Sequence, residues 1–168
     1  FTGATPLMLQ KFDHVTTDPW SMFAGERAGS AGETAPLLIL LCGLYLIIRG
    51  FMSWRVPAAM LLSSVVLAQA FHMSDPARYP GPLFVLFSGG LILGAMFMAT
   101  DPVGSPVTSR GMWIYGILMG TLTVAIRFLG GLAEGVMYAI LLGNALAPLI
   151  DDLTQPRVYG VKRRVVSA

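Results

Sequence analysis

Few side chains in this 168-residue chain could do chemistry, and most of them stand where a membrane would make them costly. Arg127 and Glu134 flank the pair Gly130-Gly131, close enough in sequence to form an ion pair or to line a polar cavity between helices. Asp101 precedes Pro102 and suits the end of a helix, whereas Asn144 lies within an apolar stretch and suits an interhelical hydrogen bond. Polar and ionisable groups at bilayer depth are expensive and mark ion or proton paths, which makes Arg127, Glu134, Asn144 and Asp101 the candidates for such a path. Glu134 taken alone also fits a carboxylate stabilised by a helix dipole. His14 and His72 are far apart, with no carboxylate or thiol at ligand spacing, so no protein-held metal is expected. The single cysteine, Cys42, can build neither an internal disulfide nor a cysteine-ligated cluster. A lysine-bearing phosphate loop and a nucleophile elbow are both missing from the sequence. Thr2-Gly3-Ala4-Thr5-Pro6-Leu7 is a turn of small residues that displays hydroxyls, and nothing in its spacing activates one of them.

The elements that must position these residues are written in the composition. Hydrophobic residues make up 55% of the chain and charged residues only 12%, about half the charged share of an ordinary soluble domain. Five charge-free runs, Ala35 to Ile48, Val56 to Ser74, Tyr79 to Thr100, Gly111 to Ile126 and Gly135 to Ile150, approach the roughly 20 residues that cross a hydrocarbon core. The runs are apolar all round, without the polar face that a soluble bundle requires. The sequence therefore predicts an all-α polytopic membrane protein with about five transmembrane helices. Residues 1–34 form an external or interfacial segment, residues 35–150 the bundle, and residues 151–168 a basic cytoplasmic tail. A net charge of +2 without basic runs interleaved with aromatics sets nucleic acid aside. The chain opens on Phe1 rather than Met and reads as the later part of a longer protein.

Lys and Arg placement sets the orientation. With the tail inside, Arg49, Arg55, Arg110, Arg157, Lys162, Arg163 and Arg164 are cytoplasmic, against Lys11, Arg27, Arg78 and Arg127 outside, as the positive-inside rule prefers. Trp20 and Phe23 within the first segment suit an interface helix, or equally a loop anchored by one Trp. Small residues four apart, Gly90 and Gly94, Gly116 and Gly120, Gly143 and Ala147, predict close approach of helix backbones.

The opening Thr-Gly-Ala-Thr-Pro-Leu resembles one family, and so do Gly29-Ser30-Ala31-Gly32-Glu33-Thr34, Ser53-Trp54-Arg55, Phe97 to Val103, and the stretch from Glu134 to Asp151. In order and over nearly the whole chain, these motifs resemble the RnfD (RsxD) family, membrane subunits of the Rnf ion-translocating electron-transport complex. The related family is the corresponding B-type membrane component of the sodium-pumping NADH:quinone oxidoreductase. Ser105 to Gly111 and Pro156 to Gly160 lean toward the Rnf type. The resemblance implies FMN joined to Thr5 through a phosphoester, with Thr2, Gly3, Ala4, Glu33 and Thr34 as its surroundings. Thr2 stands where the family motif has Ser, which keeps the hydroxyl. It further implies a second, noncovalent flavin such as riboflavin, and electron relay coupled to sodium or proton movement. The implied partners are a flavin-attaching transferase, membrane lipid and the other membrane, flavin and iron–sulfur subunits. No catalytic residue of the chain's own is implied, the setting is a bacterial inner membrane with an external N-terminal segment, and five spans would be one half of an inverted-repeat bundle. The alternatives are the B-type component of the sodium-pumping NADH:quinone oxidoreductase, half of a solute channel or transporter without flavin, and a scaffold that has lost its flavin.

Overall fold

A computed structural model describes residues 5–13, 18–25, 34–76 and 78–156. Thr2, Gly3, Ala4, His14, Arg27 and Glu33, and the tail from residue 157 onward, lie outside the described residues. The described chain is helical: α1 (Pro6–Asp13), α2 (Pro19–Ala24), α3 (Pro36–Ile48), α4 (Arg55–Ser74), α5 (Pro82–Phe87), α6 (Leu91–Leu93), which continues as a π-helix over Gly94–Met98, α7 (Ser109–Leu129) and α8 (Val136–Thr154). Prolines open α1, α2, α3 and α5, where a missing N–H costs a helix nothing.

Three helices, α4, α7 and α8, are long and apolar enough to cross a membrane. The first apolar run is the shorter α3, 13 residues or about 20 Å. The third run is not one helix: α5 stops at Phe87, Ser88-Gly89-Gly90 breaks it, and α6 with its π turn resumes it. These elements make an all-α polytopic membrane protein, with one of the five runs interrupted.

Glycine decides the packing of α7 on α4. A Cβ at Gly116 would lie 2.5 Å from Ala59 Cβ, and one at Gly120 would overlap the carbonyl oxygen of Met60, so the expected small-residue seam is a backbone-to-backbone contact. Gly143 lets α8 onto Met119 and Tyr115 of α7 in the same way. The pair Gly90 and Gly94 behaves differently from its spacing. Gly94 abuts Val136, but Gly90 lies in the break and faces open space, because the helix that would put both on one face is interrupted there. Val56, Met60, Leu91, Ala95, Tyr115, Met119, Val136 and Ile140 form the core between α4, α6, α7 and α8.

Connections gather at two ends. At one, Phe71, Tyr79 and Phe128 stack with ring centroids 5.0 to 5.5 Å apart, and Phe23 of α2 meets Phe87 at 5.0 Å. At the other, Trp54 meets Trp113 edge-on at 5.9 Å, Ser53 Oγ lies 3.2 Å from Met112 Sδ, and Val107 N donates to Asp151 at 3.0 Å. Charged groups at both ends of α7 suit its dipole: the Asp151 carboxylate accepts from Val107 N and Thr108 N before its first turn, and the Lys11 ammonium sits at its last carbonyls.

Candidate functional site

Three of the chemistry-bearing residues, Thr5, Arg127 and Glu134, lie at the end that holds α1. Thr5 immediately precedes that helix: its carbonyl accepts from Leu9 N at 3.0 Å and its hydroxyl accepts from Met8 N at 3.4 Å, the N-cap arrangement that Thr-Pro favours. Thr5 is half-buried at a cavity of about 370 Å³, also lined by Met8, Leu132, Ala133, Glu134, Met137 and Tyr138.

Lys11, two turns further along α1, fixes that helix to the connection between α7 and α8. Its ammonium donates to Arg127 O at 2.9 Å, Gly130 O at 2.6 Å and Leu132 O at 2.6 Å, which uses all three of its protons. Burial pushes the Lys11 ammonium below its ordinary value; the three carbonyl oxygens, by holding the charged form, work against that shift.

Arg127, 4% exposed at the end of α7, mends the interrupted third run. Where a helix stops, its last carbonyls have no partner within it. Arg127 Nη1 donates to Val85 O at 2.9 Å and Nη2 to Ser88 O at 3.1 Å. Gly89 closes the turn at φ +64°, and a Cβ there would lie 2.8 Å from Arg127 Nη2 and 3.2 Å from Glu134 Oε1. Both the backbone angle and the space demand glycine. Arg127 and Glu134 thus both approach Gly89, but they line different cavities, and no ion pair joins them among the described residues. Glu134 stands immediately before Gly135, the N-cap of α8, where the helix dipole favours a carboxylate, and it makes no capping hydrogen bond there among the described residues. Glu134 Oε1 is buried and has no hydrogen-bond partner among the described residues.

Asn144 and Asp101 are elsewhere, at the opposite end. Asn144 Oδ1 accepts from Tyr115 OH at 2.5 Å and Gly104 packs on its amide, so it joins α7 to α8 as an interhelical bond. Asp101 is exposed and accepts from Val103 N at 3.3 Å and, through its carbonyl, from Ser105 N at 3.0 Å, shaping a turn. Thr34 is exposed, its carbonyl against Gly25, apart from the residues that line the cavity beside Thr5. His72 Nδ1 donates to Tyr79 O at 2.8 Å and closes the link after α4. Sequence reasoning missed Lys11, whose acceptors are backbone carbonyls, and Gly89, although Ser88-Gly89-Gly90 is a helix-breaking run.

The chain is similar to known proteins over most of its length. The chain is 45% identical over 143 residues to the D-type component of the proton-translocating ferredoxin:NAD(+) oxidoreductase complex of Clostridium ljungdahlii, covering 85% of this chain and 43% of that protein. It is 48% identical over 142 residues to the D-type component of the ion-translocating oxidoreductase complex of Stutzerimonas stutzeri, covering 84% and 40%. It is 42% identical over 166 residues to the D-type component of the Na(+)-translocating ferredoxin:NAD(+) oxidoreductase complex of Acetobacterium woodii, covering 96% and 50%. The chain therefore spans half or less of the length of these relatives. Residues 1–160 match the NQR2, RnfD, RnfE family, and the chain belongs to that family.

Proposed function

We propose that this chain is the flavin-bearing part of a membrane subunit in an ion-translocating electron-transport complex of the ferredoxin:NAD type, with FMN esterified through its phosphate to Thr5. The observation that carries the proposal is the position of Thr5, whose hydroxyl caps the start of α1 and which itself lines a cavity otherwise bounded largely by apolar side chains and Tyr138. The two halves of such a cofactor have opposite needs, and the site meets both. A phosphoester on Thr5 stands beside the first N–H groups of α1 and the positive end of its dipole. Met8, Leu132, Ala133, Met137 and Tyr138 offer mostly apolar walls for an aromatic ring system. When bound, FMN supplies electron uptake and release, the chemistry that no side chain here performs. Thr5 would hold it covalently, Lys11 fixes the helix carrying Thr5, and the apolar residues of the cavity would shield it from water.

The partners follow from the same assignment: the remaining subunits of the complex, membrane lipid around the exposed apolar faces of α3 and α8, and a transferase that loads Thr5. The setting is the bacterial inner membrane, with α1, α2 and Thr5 on the outer side and the end bearing Asp151 facing the cytoplasm, supported by seven basic residues on that side against four. Electron transfer drives sodium or proton movement in the whole complex; both ions occur in the names of relatives at similar identity.

The test is in-gel fluorescence of the denatured protein, produced together with a flavin transferase, followed by the mass of the Thr5 peptide. Fluorescence should survive denaturation, add one FMN phosphoester to that peptide and vanish in Thr5→Ala. A colourless chain with an unmodified Thr5 would support instead a channel half or a scaffold without flavin.

A further inference from the structure

Glu134 is shared by the cavity beside Thr5 and the break in the third apolar run. It lines the cavity together with Thr5, Leu132 and Tyr138. Its Oε1 and Arg127 Nη2 lie 3.2 and 2.8 Å from the point a Gly89 Cβ would occupy. A carboxylate oxygen buried without a donor is costly; Oε1 is turned to the break at Gly89, and a partner for the carboxylate has to enter from the cavity that the same residue lines. Neither helix capping nor any described hydrogen bond uses Glu134 Oε1.

Resting on the assignment of FMN to Thr5, we propose that Glu134 is a positioning residue for that flavin, its carboxylate accepting a hydrogen bond from the group seated in the cavity and its charge lowering the potential at which the ring takes up electrons. The flavin brings suitable donors, the imide N–H of the ring and the hydroxyls of the ribityl chain. A negative charge beside the ring opposes the arrival of electrons, and in poorly polar surroundings it acts with little screening. The Arg127 guanidinium at the same point offsets part of that charge. Replacing Glu134 by an uncharged isostere leaves the guanidinium in place, so the field at the cavity becomes more positive and the potential rises.

The experiment compares the wild-type full-length protein, made with the transferase, with Glu134→Gln and Glu134→Asp. Covalent flavin is measured first, by fluorescence of the denatured band, and the bound flavin is then titrated spectroscopically for its midpoint potential. The expected result is comparable loading in all three, a higher potential in Glu134→Gln, and a smaller upward shift in Glu134→Asp, which keeps the charge but withdraws it by one methylene. Equal potentials at equal loading would overturn the proposal. If Glu134→Gln is made too poorly to titrate, Glu134→Asp decides alone, and a potential equal to wild type would overturn it. A wild-type protein without flavin would instead overturn the assignment of FMN to Thr5. A purely structural Glu134 would change yield or thermal stability without a charge-dependent order of potentials.

Discussion

The two ends of the bundle handle polar groups in different ways. At the end holding Asp151, the polar side chains that cross between α7 and α8 meet partners from the chain. The Asp151 carboxylate accepts from Val107 N and Thr108 N. Thr108 Oγ1 accepts from Gly111 N at 3.0 Å and contacts the Thr154 hydroxyl, which reaches Ile150 O at 2.7 Å. Asn144 accepts from Tyr115. At the end holding Thr5, Lys11 and Arg127 are committed to carbonyls, yet Glu134 keeps a buried oxygen without a donor and faces a cavity. Satisfied networks at membrane depth hold helices together. A polar group left open beside a cavity is where a ligand contributes something. On this reading the polarity at the Asp151 end is structural, and the Thr5 end is where the proposed flavin would bind.

The largest effect should come from the residue that supports the functional end. Arg127→Met removes the donor to Val85 O and Ser88 O and leaves two carbonyls of an interrupted helix facing apolar side chains. Bonds from a charged donor contribute roughly 1.5 to 3 kcal/mol each, so a loss on the order of 3 kcal/mol is expected. It would be read as a fall in the midpoint of thermal unfolding of the purified protein in detergent. Flavin on Thr5 should fall with it, because the carbonyl of Arg127 and its neighbours also anchor α1 through Lys11. Full stability in this variant would break the claim that the guanidinium mends the third run.

An intermediate effect tests the other end. Asp151→Asn weakens the acceptor for the N–H groups of Val107 and Thr108 ahead of α7, and loss of such a cap costs about 1 kcal/mol. The unfolding midpoint should drop slightly while covalent flavin on Thr5 stays at the wild-type level. A variant that unfolds normally but loses flavin would erase the distinction between the ends.

That distinction was only half visible in the sequence, for physical reasons. Hydropathy reports burial in lipid, so the five runs were legible and four became single helices. The third run is apolar on both sides of its break, and hydropathy does not register Ser88-Gly89-Gly90. Small-residue spacing identified Gly116 and Gly120 because both lie on one unbroken helix, and it misled at Gly90 and Gly94 because the helix between them is interrupted. Arg127 and Glu134 stood out as charges flanking a Gly-Gly pair, but the carbonyls of Val85 and Ser88 lie about 40 positions earlier in the chain, and backbone acceptors leave no trace in residue type. Lys11 escaped for the same cause. Thr5 was legible only through its motif: its spacing shows a turn, while the cavity beside it is built from the connection before α8, far along the chain.

The smallest effect sharpens the comparison most. Tyr115→Phe deletes one hydroxyl, whose bond to Asn144 spans 2.5 Å between α7 and α8, and leaves the buried ring in place. Interhelical hydrogen bonds in membranes average about 0.6 kcal/mol, a shift close to the resolution of a thermal melt. If Asn144 were a station on an ion path rather than an interhelical bond, removal of the hydroxyl it accepts from would change ion translocation by the assembled complex while the melt stayed put. A slightly lowered melt with unchanged translocation is the expected outcome, and it would assign the Asp151 end to structure and confine the search for function to Thr5, Arg127 and Glu134.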